Sequence, residues 1–330
     1  MSRSTLQLVN STELQVKIKA MTKRLNGVYA AVVTPFDETG ALSVGQFEAE
    51  LKYLESRGCT GVLIGGSTGE AQSLSVAERI SVASEAATVF GAVHMLLGTG
   101  AASIEDAVLL TKNAFDLGVE AAVIIPPFFF KSVSQEGLID FYTQLLVRSV
   151  PSDGRVLLYN NPVLTSTEVD TELVRKLVDL FPDQIVGIKD SSSNLENSIE
   201  LCKMFPEFSI FVGDDRLVLA ALQAGAAGAI TGISGVFPEL LVELYATFSA
   251  DKSAQDIQDR VSSTHQKFDG FPRIAAFKEL LSAGKIIASP GVRPPLRRLT
   301  EAELVDLKNR FNYGQTLAQI DFGHITATSE

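Results

Sequence analysis

Ile185-Val186-Gly187-Ile188-Lys189 is a short apolar run that ends on a lysine, with Asp190 next in the chain. Its length and β-branched content predict a buried strand rather than a helix. Seven runs of the same kind accompany it: Val28–Val33, Gly61–Gly65, His94–Gly98, Ala121–Ile125, Val156–Tyr159, Ile210–Val212 and Gly228–Ile230. Between them lie stretches of helical periodicity, at Val44–Arg57, Val76–Phe90, Ile104–Leu117, Gln135–Val150, Thr171–Leu180, Leu195–Phe205, Asp215–Ala224 and Pro238–Phe248. Ser75 with Glu78 has the spacing of a capping box, and Ser103 with Asp106 nearly matches it. Gly58, Gly91, Gly118 and Gly225 stand where helices should end. Near-continuous apolar strands alternating with helices predict a parallel sheet covered on its outer face. Eight such units match an α/β fold of the (β/α)8 TIM barrel type in number and size. An open doubly wound sheet is the alternative, and the lack of a dinucleotide-binding fingerprint after the first strand weighs against it.

Beyond Phe248 the pattern is helical only, through Asp251–Phe268, Ile274–Ala283 and Thr300–Phe311, with Pro294-Pro295 punctuating the last connection. The expected organisation is therefore an N-terminal extension over residues 1–24, a barrel over 25–250, a C-terminal helical extension over 251–313 and a tail over 314–330.

Composition narrows the partners. The chain has 330 residues, 46% apolar and 20% charged, which excludes a disordered polymer. A net charge of −11 gives no field to attract nucleic acid, so no nucleic-acid partner is expected. The longest apolar stretch, Ala121 to Phe130, is interrupted by Pro126 and Pro127, far short of the roughly 20 residues of a membrane span. Two cysteines, Cys59 and Cys202, build no disulfide framework, and no Cys/His spacing resembles a metal site. A cytoplasmic location follows. The first 24 residues lack the apolar core of a secretory signal, although their scarcity of acids leaves a transit peptide open.

Barrel enzymes place their chemistry at the C-terminal ends of the strands. Lys189 occupies such a position, where low-dielectric walls favour the free amine that a Schiff-base nucleophile requires. The bland alternative is an ion pair with Asp190. Tyr159 ends the preceding strand, and its phenol is suited to passing a proton; alone it reads equally as a buried tyrosine. The segment Gly65-Gly66-Ser67-Thr68-Gly69-Glu70 offers backbone N–H groups and two hydroxyls to a carboxylate, or else a tight turn with a helix cap. Asp215 and Ile230 close the seventh and eighth strands. His94, His265 and His324 are scattered, so neither a metal-dependent aldolase nor a histidine-based triad has its parts. The glycines of Gly225–Gly235 leave open a phosphate-binding barrel.

Gly66-Ser67-Thr68-Gly69-Glu70, Tyr159-Asn160-Asn161-Pro162, Gly187-Ile188-Lys189-Asp190 and Gly228-Ala229-Ile230 together resemble the dihydrodipicolinate synthase / N-acetylneuraminate lyase superfamily, over roughly Leu25 to Phe311. The resemblance implies a barrel with a C-terminal helical extension, assembled as a homo-oligomer (dimer or tetramer). It implies a class I lyase whose lysine forms a Schiff base with pyruvate or another 2-oxo acid, using no cofactor and no metal. Carried over by motif, Lys189 is the Schiff-base lysine and Tyr159 the proton relay. Gly66, Ser67 and Thr68 hold the carboxylate, and the backbone at Ile230 lines the same pocket.

The chain departs from that pattern in three places. Leu164 stands where the synthases carry an arginine, and Phe128, Phe129 and Phe130 where they bring a second tyrosine. Asp215 matches a polyol-binding acid of the sialic-acid lyases, but Arg216 follows it where a second acid is expected. A lyase joining pyruvate to an aldehyde, or cleaving a 2-oxo-3-deoxy sugar acid, is the expectation, with Lys131 and Arg216 available for the distal end. The alternatives are 4-hydroxy-tetrahydrodipicolinate synthase, a related dehydratase, and a non-catalytic barrel that binds 2-oxo acids.

Overall fold

The computed structural model describes residues 24–90 and 94–312. Gly91, the extension up to residue 23 and the tail lie outside them. Among the described residues eight parallel strands close into a barrel in sequence order. They are β1 (Gly27–Ala31), β2 (Gly61–Ile64), β3 (Met95–Gly98), β4 (Ala121–Ile124), β5 (Val156–Asn160), β6 (Ile185–Asp190), β7 (Ser209–Val212) and β8 (Gly228–Thr231), and β8 pairs back onto β1. Every apolar run read from the sequence is a strand, to within two residues at each end.

The helices that follow β1 to β4 are α1 (Phe47–Ser56), α2 (Val76–Phe90), α3 (Ile104–Asp116) and α4 (Gln135–Ser149). After β5 come a single turn, α5 (Pro162–Thr165), and then α6 (Thr171–Leu180); α7 (Leu195–Met204) and α8 (Val218–Gln223) follow β6 and β7. After β8 the chain makes the short α9 (Ile233–Val236), then α10 (Pro238–Ser249), α11 (Gln255–Gln266), α12 (Arg273–Ala283) and α13 (Glu301–Phe311). The predicted helix starts are present. Ser75 and Glu78 bond reciprocally, with Ser75 N–H donating to Glu78 Oε2 at 2.9 Å and Glu78 N–H to Ser75 Oγ at 3.3 Å. Asp106 N–H donates to Ser103 Oγ at 3.4 Å.

Strand residues alternate between two environments, as side chains of period 2 must. Leu63, Val123, Leu157, Tyr159, Phe211 and Ile230 fill the barrel interior, while Ile124, Leu158, Ile188 and Ile210 face the helices. The β5–β6 pairing shifts register once: Val156 stands opposite Ile185, but Leu157 stands opposite Gly187, leaving Val186 as an extra residue. Beyond that bulge Tyr159 stands opposite Lys189 and Asn160 opposite Asp190.

The last three helices pack through an aromatic cluster. The Phe268 and Phe277 rings meet edge-on at 4.8 Å, and Phe311 stacks on Phe237 at 5.6 Å. Phe277 also approaches Gly232, just past β8, where an added Cβ would sit 2.6 Å from the ring. The extension thereby reaches the carboxyl ends of the strands.

Candidate active site

Lys189 and Tyr159 are both buried, on neighbouring strands and on the same inward face. The lysine Nζ lies 4.3 Å from the centre of the tyrosine ring, within the range of a cation–π contact. Pairing with Asp190 does not occur, because the next residue along a strand points to the opposite face. Asp190 instead accepts hydrogen bonds from Asn160 Nδ2 (3.1 Å), Ser192 N–H (3.1 Å), Asn197 Nδ2 (2.9 Å) and Ser198 Oγ (2.7 Å). It ties β6 to β5 and to α7, and leaves the amine to the barrel mouth.

The Tyr159 hydroxyl stands 3.3 Å from Ser67 Oγ and accepts from Asn161 Nδ2 at 3.1 Å. Burial by itself would push this phenol up. The positive charge of Lys189 and the hydrogen bonds from Ser67 and Asn161 outweigh burial and bring it down to about 8. A phenol in that range can both give and take a proton near neutral pH.

Ser67 is delivered by the loop after β2. Gly65 turns the chain there with φ +65°, a left-handed conformation that suits glycine. A Cβ on the facing Gly98 would lie 2.3 Å from the Gly65 carbonyl oxygen, so this approach tolerates no side chain. At its far end the loop is held by Glu70, itself left-handed at φ 54°. The Glu70 carboxylate is buried against the ammonium of Lys278 on α12 and accepts the Arg293 N–H at 3.0 Å. Lys278 also donates to Gly291 O at 2.7 Å.

A cavity of about 420 Å³ opens beside these groups, a size suited to a small organic ligand. Gly65, Gly66, Ser67 and Tyr159 line it, together with the apolar Val123, Ile125, Phe128, Leu164, Ile274 and Leu296. Tyr159 lines the cavity and Lys189 does not; the Lys189 amine stacks on the Tyr159 ring, one side chain away from the space.

The other predicted residues take different places. Thr68 turns toward Gly232, where an added Cβ would stand 3.4 Å from its Oγ1. Ile230 is wholly buried among the barrel-interior side chains. Asp215 does not reach the cavity; it is buried behind β7, where its Oδ2 meets His265 Nδ1 at 3.3 Å. The two cations expected at the mouth are both engaged. Arg216 grips Asp214 through Nε (3.0 Å) and Nη2 (2.6 Å), and Lys131 donates to the carbonyls of Phe128 (2.7 Å) and Thr165 (3.3 Å). Sequence reasoning missed Lys278, Ile274 and Leu296, which come from the extension, and read Phe128 as standing in place of a tyrosine. A lysine inside an ordinary helical pattern carries no signal of burial, and only the fold brings these residues to the loop.

An amine and a phenol stacked beside a pocket at the carboxyl ends of barrel strands have the parts that covalent imine chemistry needs. The chain belongs to the dihydrodipicolinate synthetase family, whose model matches residues 24–312. It is similar to a protein of Chloroflexus aurantiacus named an uncharacterized DapA-like lyase, 33% identical over 283 residues, covering 86% of this chain and 94% of that one. It is also similar to the 4-hydroxy-tetrahydrodipicolinate synthase of Methanoculleus marisnigri, 34% identical over 69% of this chain and 78% of that one. Among solved structures, the prophage protein YagE of E. coli K12, in complex with pyruvate, superposes with a TM-score of 0.81 at 26% identity, over 87% of this chain and 98% of its own. The dihydrodipicolinate synthase of Acinetobacter baumannii, complexed with pyruvate, gives 0.81 at 27% identity, over 89% and 99%.

Proposed function

We propose that this lyase works through a Schiff base between Lys189 and the carbonyl of pyruvate or another 2-oxo acid. The observation that carries the reading is the Lys189 amine held 4.3 Å from the centre of the Tyr159 ring, with that tyrosine hydroxyl beside Ser67. The amine attacks the carbonyl, Tyr159 relays the protons that turn the carbinolamine into an imine and water, and the protonated imine withdraws electrons from the adjacent carbon. The backbone of Gly66 and the hydroxyl of Ser67, both on the cavity wall, hold the carboxylate. The carbon–carbon bond then forms to an aldehyde, or breaks in a 2-oxo-3-deoxy acid such as a sugar acid; a related dehydratase would share the same imine. The pyruvate complexes of YagE and of the Acinetobacter enzyme support pyruvate as the acid. The reading includes a homo-oligomer in the cytoplasm. The exposed Phe129 and Phe130 rings support self-association, and the free thiols Cys59 and Cys202 support a reducing compartment.

The name of the Methanoculleus relative favours a second reading, 4-hydroxy-tetrahydrodipicolinate synthase. Against it stands Leu164 at the place of the expected arginine. Efficient turnover of aspartate semialdehyde would restore it.

The deciding experiment is borohydride reduction in the presence of pyruvate, followed by peptide mass mapping. A reduced adduct on Lys189, lost in Lys189→Ala, is the expected result. Folded protein that binds pyruvate and yields no adduct would make it a non-catalytic 2-oxo acid binding barrel.

A further inference from the structure

Of the groups proposed to fix the 2-oxo acid, Gly66, Ser67 and Tyr159 line the cavity. What the rest of the cavity offers therefore describes the other half of the substrate. Val123, Ile125, Phe128 and Leu164 line it from the barrel, and Ile274 and Leu296 from the C-terminal extension. All six are hydrocarbon or aromatic. The charged side chain of the lining, Glu70, is neutralised by Lys278.

Neither of the two cations expected to hold the distal end lines the cavity; Arg216 is paired with Asp214, and Lys131 donates to two backbone carbonyls. The Thr165 hydroxyl is already engaged, with its one proton between the carbonyls of Thr167 (2.7 Å) and Asn161 (3.0 Å) and its oxygen accepting the Thr167 N–H at 3.1 Å. Gln72 and Ser73 remain as uncharged polar side chains, too few to replace the water around a chain of hydroxyls. An anionic or polyhydroxylated tail entering this space would lose hydration without compensating hydrogen bonds. An apolar tail would lose nothing and would remove the six side chains from water.

We infer that the aldehyde half of the substrate is uncharged and apolar, an aryl or branched alkyl aldehyde packed against Ile125, Phe128, Leu164 and Leu296. This rests on the Schiff-base reading above. In the condensing direction, the methyl carbon of the pyruvate imine loses a proton and attacks the aldehyde carbon. The new carbon–carbon bond forms as the aldehyde oxygen takes a proton, which Tyr159 is placed to supply. Water then hydrolyses the imine, freeing the Lys189 amine and a 4-hydroxy-2-oxo acid with an apolar substituent. Pyruvate and aldehyde add with no oxidant and no other product.

The test pairs the borohydride adduct with kcat/KM for benzaldehyde, isovaleraldehyde, glyceraldehyde and succinic semialdehyde, each with pyruvate. The expected result is a preference of about 100-fold or more for the first two over the last two, the scale on which a pocket rejects a group it cannot solvate. Leu164→Arg should lower turnover of benzaldehyde at least about 10-fold and raise that of succinic semialdehyde, with the pyruvate adduct as the control for folding. An adduct together with equal or better use of glyceraldehyde or succinic semialdehyde, or with no turnover of either apolar aldehyde, overturns this inference and leaves the Schiff-base reading intact. No adduct removes both.

Discussion

At Tyr159 two effects oppose each other, and their balance sets the chemistry. Burial favours the neutral phenol, while the Lys189 charge and two hydrogen bonds favour the phenolate, placing the midpoint at about 8. Below that pH the residue is a proton donor, and above it an acceptor. A step that needs the phenol as donor therefore slows as pH rises through 8. The profile of kcat/KM should show an inflection there that Tyr159→Phe abolishes, with a rate loss of about 10²- to 10⁴-fold. An inflection that survives in the variant would assign the proton relay to another group. The positions of Lys189 and Tyr159 at neighbouring strand ends were legible in the sequence because each closes an apolar run. Asp215 was misplaced for the same reason. It too follows a strand, but β7 ends at Val212, and the residues beyond it turn Asp215 toward His265 on α11.

The loop after β2, helix α1 and helix α12 meet around one buried lysine. Glu70 and Glu50 both lie near Lys278, and none of the three is exposed to solvent. Replacing Lys278 by methionine leaves Glu70 buried without its partner, which should cost about 3–5 kcal/mol of stability. The double variant Lys278→Met/Glu70→Gln should recover part of that loss in denaturant melts, and failure to recover any would show the pair to be uncoupled. Glu50 adds a pH dependence. Desolvation raises its carboxyl to about 8, which the Val33 N–H and the Lys278 charge only partly offset. Between its ordinary value of 4.5 and 8 the folded chain binds more protons than the unfolded one, so stability falls as pH rises across that window. The slope approaches about 1.4 kcal/mol per pH unit for one proton, and Glu50→Gln should flatten it. Equal slopes in both proteins would remove Glu50 as the cause. None of this meeting was visible in the sequence, where Glu50 and Lys278 fit the charged faces of helical patterns and Glu70 ends a glycine-rich loop.

For the whole molecule, the strand–helix rhythm carries the architecture almost completely, because each strand is covered on both faces and so reads as an unbroken apolar run. The extension reads only as helices; that it supplies Ile274 and Leu296 to the pocket follows from the closure of the barrel, which brings β8 and the chain beyond it back beside β1 and β2. Self-association belongs to this scale. Sedimentation should give twice or four times the 35.4 kDa of the chain, and a monomeric mass would leave Phe129 and Phe130, 73% and 72% exposed, to some other contact.

The extra residue Val186 works as a change of parity. Counting alternately from Ile185, which faces the helices, would put Asp190 inside the barrel and Lys189 beneath the helices. One surplus residue reverses the count, so the amine enters the mouth and the carboxylate joins the scaffold. Inside and outside are thus exchanged by an odd number, and an insertion or deletion between Gly187 and Lys189 would turn the amine and the carboxylate inside out together.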